Sequence, residues 1–352
     1  MMENFQIVRV MLLSFVSFIL AILATPLLTH FLYKYKLGVS IRDDGSTPVY
    51  SQLHKNKSGT PTMGGLVVWG TLLLVIGLLW LAAKLGLAPG LISSFNFLSR
   101  SETFLPLGVL LSTAVVGLID DWFNVRKRGG GKGGGLTIKH RLMIYTAIAL
   151  VGAWWFYYKL DWDLLHIPFV GDVNLGPWYM LVFIFIIVAT AFSVNLTDGL
   201  DGLAGGVLLS NFATLGTIAF ILGKYDLAAF CAVIIGALLA FLWFNINPAR
   251  FFMGDTGAMS LGITLGVVAL LTQTALLLPI IGFVLIMESG SVIIQVVSKK
   301  LFKRKVFIST PIHHHFEALG WPETKVVMRF WVIAAVTSVL GLILAIIDKT
   351  LI

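Results

Sequence analysis

Acidic side chains stand in two short motifs whose chemistry suits a metal ion. Asp120 and Asp121 are adjacent in GLIDDW, at the end of an apolar segment, and Asp255 lies in NINPARFFMGDTG, just before another. Adjacent carboxylates repel each other and oppose the dipole at a helix C-terminus. A hard divalent cation relieves both costs, and Mg²⁺ prefers oxygen ligands. We expect Mg²⁺ among these acids, with Asp255 as the main ligand; the alternatives are solvated acids and a helix cap.

A third acidic motif is NLTDGLDG, in which Asn195, Asp198 and Asp201 are each three residues apart. If this segment is helical, the three side chains share one face, and Gly199 and Gly202 let a ligand or another backbone approach closely. The motif lacks the spacing and the distal glutamate of a calcium-binding EF-hand. A polar turn between two helices is the alternative interpretation.

Aromatic and histidine residues extend the set of candidates. In NINPARFFMGDTG, which also contains Asn245, the pair Phe251-Phe252 beside a carboxylate could stack on a base. The string PIHHHF places His313, His314 and His315 in a row, so they cannot all point the same way. Three histidines without further tetrahedrally spaced ligands do not indicate zinc, and alone they are a weak signal.

Lysines precede one of the apolar segments. Lys55 and Lys57 stand before Thr60-Pro61-Thr62, which supplies a cap and a fixed backbone at a helix start, so a phosphate site is one interpretation. The general excess of lysine in cytoplasmic loops is the other. The glycine-rich Gly129–Gly135 lacks the Ser or Thr of a P-loop and is interpreted as a linker.

The solvent for most of the chain is lipid. The sequence is 58% hydrophobic and 12% charged, whereas a soluble domain is about 25% charged. A membrane-spanning helix needs about 20 apolar residues. Ten segments qualify: 9–33, 62–86, 104–120, 141–159, 177–195, 203–222, 227–244, 256–273, 275–297 and 330–347. We therefore predict an all-α polytopic membrane protein of about ten transmembrane helices, forming a single domain over residues 1–352.

The basic residues predict the orientation. Of the 25 Lys and Arg residues, 19 fall in alternate loops, which are cytoplasmic by the positive-inside rule, so both termini are predicted to be periplasmic. The net charge of +8 needs no nucleic acid to explain it. A small periplasmic β-hairpin is predicted within Asp161–Pro177, with its turn at Gly171-Asp172. Glu288 lies inside an apolar segment, where an ionisable residue is functional by default or forms a buried pair.

Most of these candidates lie on the predicted cytoplasmic side, at the ends of different helices. Such an arrangement predicts a cytoplasmic cleft at the lipid boundary, where acids bind metal, and metal and lysines neutralise a diphosphate. Phosphoryl transfer requires mainly positioning and charge neutralisation. No Ser–His–Asp or Cys–His arrangement is readable in the sequence.

Taken together, these motifs resemble those of a known family. GTPTMGG, GLIDD, NLTDGLDGLA, NINPARFFMGDTGA and TPIHHHFE are similar, in order, to the signatures of the phospho-N-acetylmuramoyl-pentapeptide transferases. The resemblance implies a ten-helix, dimeric, Mg²⁺-dependent enzyme of the bacterial inner membrane. It would convert UDP-MurNAc-pentapeptide and undecaprenyl phosphate to lipid I and UMP. The glycine-rich insert before LTIKHR departs from the lysine-rich loop expected there.

The resemblance also implies roles for individual residues. Asp120, Asp121, Asp255 and His313 would be catalytic, and the three aspartates would be the metal ligands. The expected substrate-binding residues are Lys57, Thr62, Asn195, Asp198, Asp201, Asn245, Phe252, His314 and His315.

Two other functions remain open from the sequence. A UDP-GlcNAc transferase of the same superfamily shares the acidic motifs and differs in its donor. An ion-coupled transporter would use Glu288 and the loop acids as a relay, but transporter sites lie near the membrane midplane. Most of the acids here lie at one boundary, which disfavours transport.

Overall fold

The computed structural model describes residues 2–38, 54, 57–130 and 134–351, and most of them are helical. The first part contains five helices and a hairpin: α1 (Met2–Lys34), α2 (Leu66–Lys84), α3 (Pro89–Phe95), α4 (Phe104–Val125), α5 (Ile138–Lys159), β1 (Leu164–Ile167) and β2 (Gly171–Asn174). The second part contains eight more helices: α6 (Tyr179–Thr197), α7 (Leu203–Ile221), α8 (Tyr225–Asn245), α9 (Gly254–Leu271), α10 (Leu278–Ile281), α11 (Phe283–Leu301), α12 (Ile312–Ala318) and α13 (Glu323–Leu351).

The predicted membrane helices are present. Within the described part of the chain, eight helices are long and apolar enough to span a membrane: α1, α2, α4, α6, α7, α8, α9 and α13. Large apolar side chains such as Trp80, Phe185, Trp243 and Val332 are exposed on their outer faces. A surface of this kind is stable against lipid and not against water. The all-α polytopic membrane fold is therefore confirmed.

Two of the ten predicted segments are not among these eight spanning helices. Segment 275–297 is bent by 85° at Gly282, between Ala275–Ile281 and Phe283–Leu301, so it is a broken span or a re-entrant loop. Segment 141–159 corresponds to α5, a helix of 22 residues. Its second half, with Trp154, Trp155 and two tyrosines, is aromatic, which makes α5 less apolar than the eight spanning helices.

Helix α9 occupies the centre of the protein and packs against α4 and α6. Every residue from Asp255 to Leu271 is buried. Gly117 allows the close approach of α4, because a Cβ added there would lie 2.4 Å from the backbone oxygen of Asp255. Small residues at such crossings let two membrane helices touch backbone to backbone. This contact places Asp120 and Asp121, one turn beyond Gly117, beside the first turn of α9.

The hairpin is present, but its predicted turn is wrong. Strands β1 and β2 pair with Ile167 opposite Gly171, so the turn is residues 168–170 and Asp172 lies within β2. A contact between the strands accompanies this register: His166 Nδ1 is 2.6 Å from Asp172 Oδ1. The other ring nitrogen, His166 Nε2, is 2.6 Å from Asp348 Oδ2 near the end of α13, so this contact links the hairpin to the last helix.

Some of the sequence predictions lie outside the described residues. These are the basic residues Arg42, Lys55 and Lys132, and the middle of the glycine-rich stretch, residues 131–133. The interpretation of Gly129–Gly135 as a linker therefore stays a prediction.

Candidate active site

One arginine lies at the centre of the polar cluster. Arg141, in the first turn of α5, places Nη2 at 2.9 Å from Asp120 Oδ2 and at 2.7 Å from Asp255 Oδ2. Its Nη1 donates to Asn195 Oδ1 at 2.9 Å. Residues from α4, α5, α6 and α9 therefore meet around one guanidinium. Sequence reasoning used Arg141 only as a topology signal, because nothing in LTIKHR indicates partners more than 50 residues away.

Asp255 makes contacts that a helix cap would not make. Its Oδ1 accepts a hydrogen bond from Asn195 Nδ2 at 2.6 Å, and its Oδ2 pairs with Arg141. The N-cap position of α9 is Met253, whose own side chain makes no capping hydrogen bond. The capping interpretation of Asp255 is therefore wrong, and its carboxylate faces the other polar groups of the cluster.

Asp120 and Asp121 are both buried, so they are not solvated acids. They also do not end their helix, because α4 continues to Val125. Asp121 holds the start of α9: its oxygens accept the backbone N–H groups of Asp255 and Thr256, each at 3.1 Å. A carboxylate at this position also complements the dipole of α9.

Thr62 and Asp120 have partners that the sequence did not indicate. Thr62 does not cap α2, which begins at Leu66; its hydroxyl donates instead to Asp121 Oδ1 at 3.1 Å. Asp120 Oδ1 accepts the backbone N–H of Leu136. Asp120 Oδ2 is buried and, apart from its ion pair with Arg141, has no hydrogen-bond partner among the described residues.

The NLTDGLDG motif is a turn rather than a helix face. Helix α6 ends at Thr197, so Asn195, Asp198 and Asp201 do not share one face. Asp198 Oδ2 accepts the backbone N–H of Gly254 at 3.0 Å. Its removal from water, and then the charge of Asp255, raise the pKa of Asp198 to about 7. Burial therefore favours the neutral form of this side chain over its charged form.

Asp201 belongs to a second group of charges. Lys57 Nζ lies 2.6 Å from Asp201 Oδ1 and also pairs with Glu323. Asn247 Nδ2 donates to Asp201 Oδ2 at 2.9 Å. The Lys57 ammonium is 5.9 Å from the ring centre of Phe252. Sequence reasoning missed Glu323 and Asn247, whose contacts join segments far apart in the chain.

The two phenylalanines of NINPARFFMGDTG have different environments. Phe251 is fully buried, whereas Phe252 is partly exposed, so only Phe252 can offer its ring to a ligand. Asn245 is buried and joins two loops: its Oδ1 accepts from the Gly202 backbone at 2.9 Å, and its Nδ2 donates to Phe251 O at 2.7 Å.

The three histidines point to three different partners. His313 Nδ1 is 2.8 Å from Glu288 Oε2, and both side chains are fully buried. His314 Nδ1 is 2.7 Å from Glu317 Oε2. His315 is partly exposed, and its Nδ1 accepts the backbone N–H of Ile308 at 3.2 Å. Glu288 is thus a buried, paired acid.

His54, His314 and Glu317 form a buried cluster whose ligand atoms lie within 4.8 Å of one another. Burial, and then the adjacent His313 ring, lower the pKa of His314 to about 4. Burial alone raises the pKa of Glu317, but hydrogen bonds from His314 and His54 outweigh it and lower the pKa to about 2. The cluster could hold a metal ion, but two imidazoles suit a transition metal better than Mg²⁺.

The fold and this geometry define a polytopic membrane protein with a carboxylate-rich polar cluster at the ends of its central helices. Residues 103–273 match the family described as "Glycosyl transferase family 4". This matched region contains α4 to α9, and with them Asp120, Asp121, Arg141, Asn195 and Asp255.

Full-length relatives are more specific. The chain is 41% identical to a phospho-N-acetylmuramoyl-pentapeptide-transferase of Chloroflexus aggregans, over 96% of this chain and 90% of the relative. It is 38% identical to one of Geobacillus kaustophilus, over 93% and 95%. It is 37% identical to one of Rubrobacter xylanophilus, over 94% of each chain. The chain belongs to the phospho-N-acetylmuramoyl-pentapeptide-transferase family and is a phosphoglycosyl transferase.

Proposed function

We propose that this enzyme transfers phospho-MurNAc-pentapeptide from UDP-MurNAc-pentapeptide to undecaprenyl phosphate, giving lipid I and UMP in peptidoglycan biosynthesis. The observation that carries the proposal is the pairing of Arg141 with both Asp120 and Asp255. These groups lie near the ends of α4, α5 and α9, where a soluble nucleotide and a lipid phosphate would meet. Phosphoryl transfer uses this kind of site, because its main needs are positioning and charge neutralisation.

The acids of the cluster fit Mg²⁺. The donor set is oxygen, which Mg²⁺ prefers, and Asp120 Oδ2 is buried with no partner among the described residues except the ion pair with Arg141. Asp255 would be the main ligand and Asp120 the second. Asp121, whose oxygens accept hydrogen bonds from the start of α9, would complete the set mainly by holding Asp255 in place. When bound, Mg²⁺ would neutralise charge on the donor's diphosphate.

The protein's own side chains would orient both substrates. Arg141 would bind phosphate oxygens through its planar fork of N–H donors. Asp120 would accept the proton of undecaprenyl phosphate or orient that group. His313 would contact the transferring phosphate from the side of α12.

The donor would be held by the remaining predicted residues. Phe252 would stack on the uracil, with Asn195 and Asp198 binding the uridine by hydrogen bonds, and Lys57 would lie beside the stacked base. His314 and His315 would contact the sugar. Three residues would shape this site through their protein contacts: Thr62, Asp201 and Asn245.

The proposed setting is the cytoplasmic membrane of a bacterium, with one domain over residues 1–352 and a homodimer as the assembly. The excess of basic residues in alternate loops supports periplasmic termini and a cytoplasmic active site. Nucleic acid is not a proposed partner.

An assay of the purified protein in detergent tests the proposal. Undecaprenyl phosphate and Mg²⁺ are supplied with either UDP-MurNAc-pentapeptide or UDP-GlcNAc, and UMP release is measured. UMP release with the first donor alone supports the proposal. Release with UDP-GlcNAc alone would make the protein a GlcNAc-1-phosphate transferase, and release with neither donor would refute both functions.

A further inference from the structure

Glu288 and His313 form a buried pair beside the proposed donor site. Glu288, on α11, and His313, on α12, are joined by a contact of 2.8 Å between Oε2 and Nδ1, and neither side chain is exposed to solvent. When Glu288 is ionised its carboxylate only accepts hydrogen bonds, and Nδ1 carries the proton of this contact. The partner of Nδ1 therefore decides which ring nitrogen remains available.

The other ring nitrogen of His313 is also buried. His313 Nε2 makes no hydrogen bond within the part of the chain that the structure describes. It lies against Gly199: a Cβ added to that glycine would come within 2.4 Å of Nε2. Gly199 directly follows Asp198 in the turn after α6. An unpaired buried polar atom costs about 1–3 kcal/mol, so its direction toward this turn requires an explanation.

We propose that Glu288 is a positioning residue for the transfer reaction and acts through His313. Its carboxylate fixes Nδ1–H and the ring orientation, and this leaves Nε2 as the nitrogen that can take up a proton. Nε2–H then donates to an anionic oxygen of the donor's diphosphate beside the Asp198–Gly199 turn. Carboxylates play this part for other functional histidines. The inference rests on the proposed function and adds to it a residue of α11 that contacts the functional histidine.

Kinetics of single and double variants test whether Glu288 acts through His313. Glu288→Gln keeps the size of the side chain and removes its charge, so kcat/KM should fall by about 10–100-fold. The kcat/KM of His313→Asn should fall at least as far. The kcat/KM of the double variant should be no lower than that of His313→Asn alone, because both substitutions remove the same function. Glu102→Gln is the matched control: this acid accepts the Leu227 backbone N–H, away from the site, and the variant should retain wild-type kinetics.

Nitrogen NMR of histidine-labelled protein gives a readout that does not depend on turnover. The protein has 7 histidines, and the signal lost in His313→Asn identifies the ring. It should show a protonated Nδ1 in the wild type and a changed tautomer in Glu288→Gln, while the melting temperature in detergent establishes that the variant is folded.

The outcomes separate the two proposals. If the wild type releases no UMP from either UDP-sugar, the proposed function fails and this inference fails with it. If the wild type is active, a Glu288→Gln variant with wild-type kcat/KM overturns the inference alone. An unprotonated Nδ1, or a double variant far worse than His313→Asn, also overturns it, because Glu288 would then act independently of the ring.

Discussion

Asp121 accepts the backbone N–H groups of Asp255 and Thr256, so one acid of the DD pair fixes the helix turn that carries the third acid. Asp120, its neighbour, faces Arg141 instead. Two adjacent carboxylates therefore have different physical roles, one in holding α9 and one in the polar cluster. This difference leads to a separate prediction for each residue.

Asp121→Asn should lower stability. An asparagine offers one acceptor oxygen where the aspartate uses two, so one backbone N–H of α9 loses its partner. A buried unpaired group costs about 1–3 kcal/mol. Thermal unfolding in detergent should show this loss for Asp121→Asn and a smaller one for Asp120→Asn. Equal melting temperatures for Asp121→Asn and the wild type would contradict the structural role.

Asp255→Asn should abolish activity and leave the protein folded. The amide removes the charge that we propose holds Mg²⁺, while its oxygen can still accept from Asn195. Turnover measured across a Mg²⁺ titration checks this, with size-exclusion chromatography as the test of folding. Wild-type turnover at limiting Mg²⁺ would refute the assignment of Asp255 as a ligand.

Phe252→Ala should weaken binding of the UDP-sugar by about 1–3 kcal/mol, which is the range for stacking of a base on an aromatic ring. Isothermal titration calorimetry with the donor measures the effect. Phe185→Ala, which removes an equally large and 73% exposed ring from the outer face of α6, is the matched control and should bind normally. An unchanged affinity in Phe252→Ala would remove the stacking role.

Both termini should face the periplasm, because 19 of the 25 basic residues lie in the loops and helix ends predicted on the other side. Alkaline phosphatase, which is active only outside the cytoplasm, should be active when it is fused after Ile352. Green fluorescent protein fused at the same position and exported by the same route should be dark. The reverse result would invert the topology and place the polar cluster outside the cell.

The elements of this fold were predictable because long apolar segments identify membrane helices without knowledge of their packing. The acidic motifs were predictable because their residue types and spacing limit the chemistry. The partners were not: Arg141 and Asp255 are 114 residues apart, and only the packing of α5 near α9 brings them together. Helix ends were also missed where side chains have tertiary partners, as for Thr62, which bonds to Asp121 rather than to α2.

Asp120→Asn should reduce turnover by about 10²–10⁴-fold, the usual contribution of a positioned proton acceptor. The substitution keeps the shape of the side chain, so binding of the UDP-sugar should persist. Raising the pH should partly restore turnover, because the lipid phosphate then loses its proton without help. A mutant rate that does not rise with pH would exclude proton transfer as the lost step.

The UMP-release assay, run without undecaprenyl phosphate, decides between direct attack by the lipid phosphate and a two-step route. In the two-step route an oxygen of Asp255 attacks the phosphorus bonded to the sugar, UMP leaves, and a phosphosugar–enzyme adduct forms before the lipid binds. Both Asp255 oxygens are engaged, Oδ1 by Asn195 and Oδ2 by Arg141, which favours a holding role over a nucleophilic one. We therefore expect no UMP release without undecaprenyl phosphate and no mass increase of the intact protein. An adduct trapped under those conditions, with UMP released, would establish the two-step route and leave Asp120 to act only on the second step.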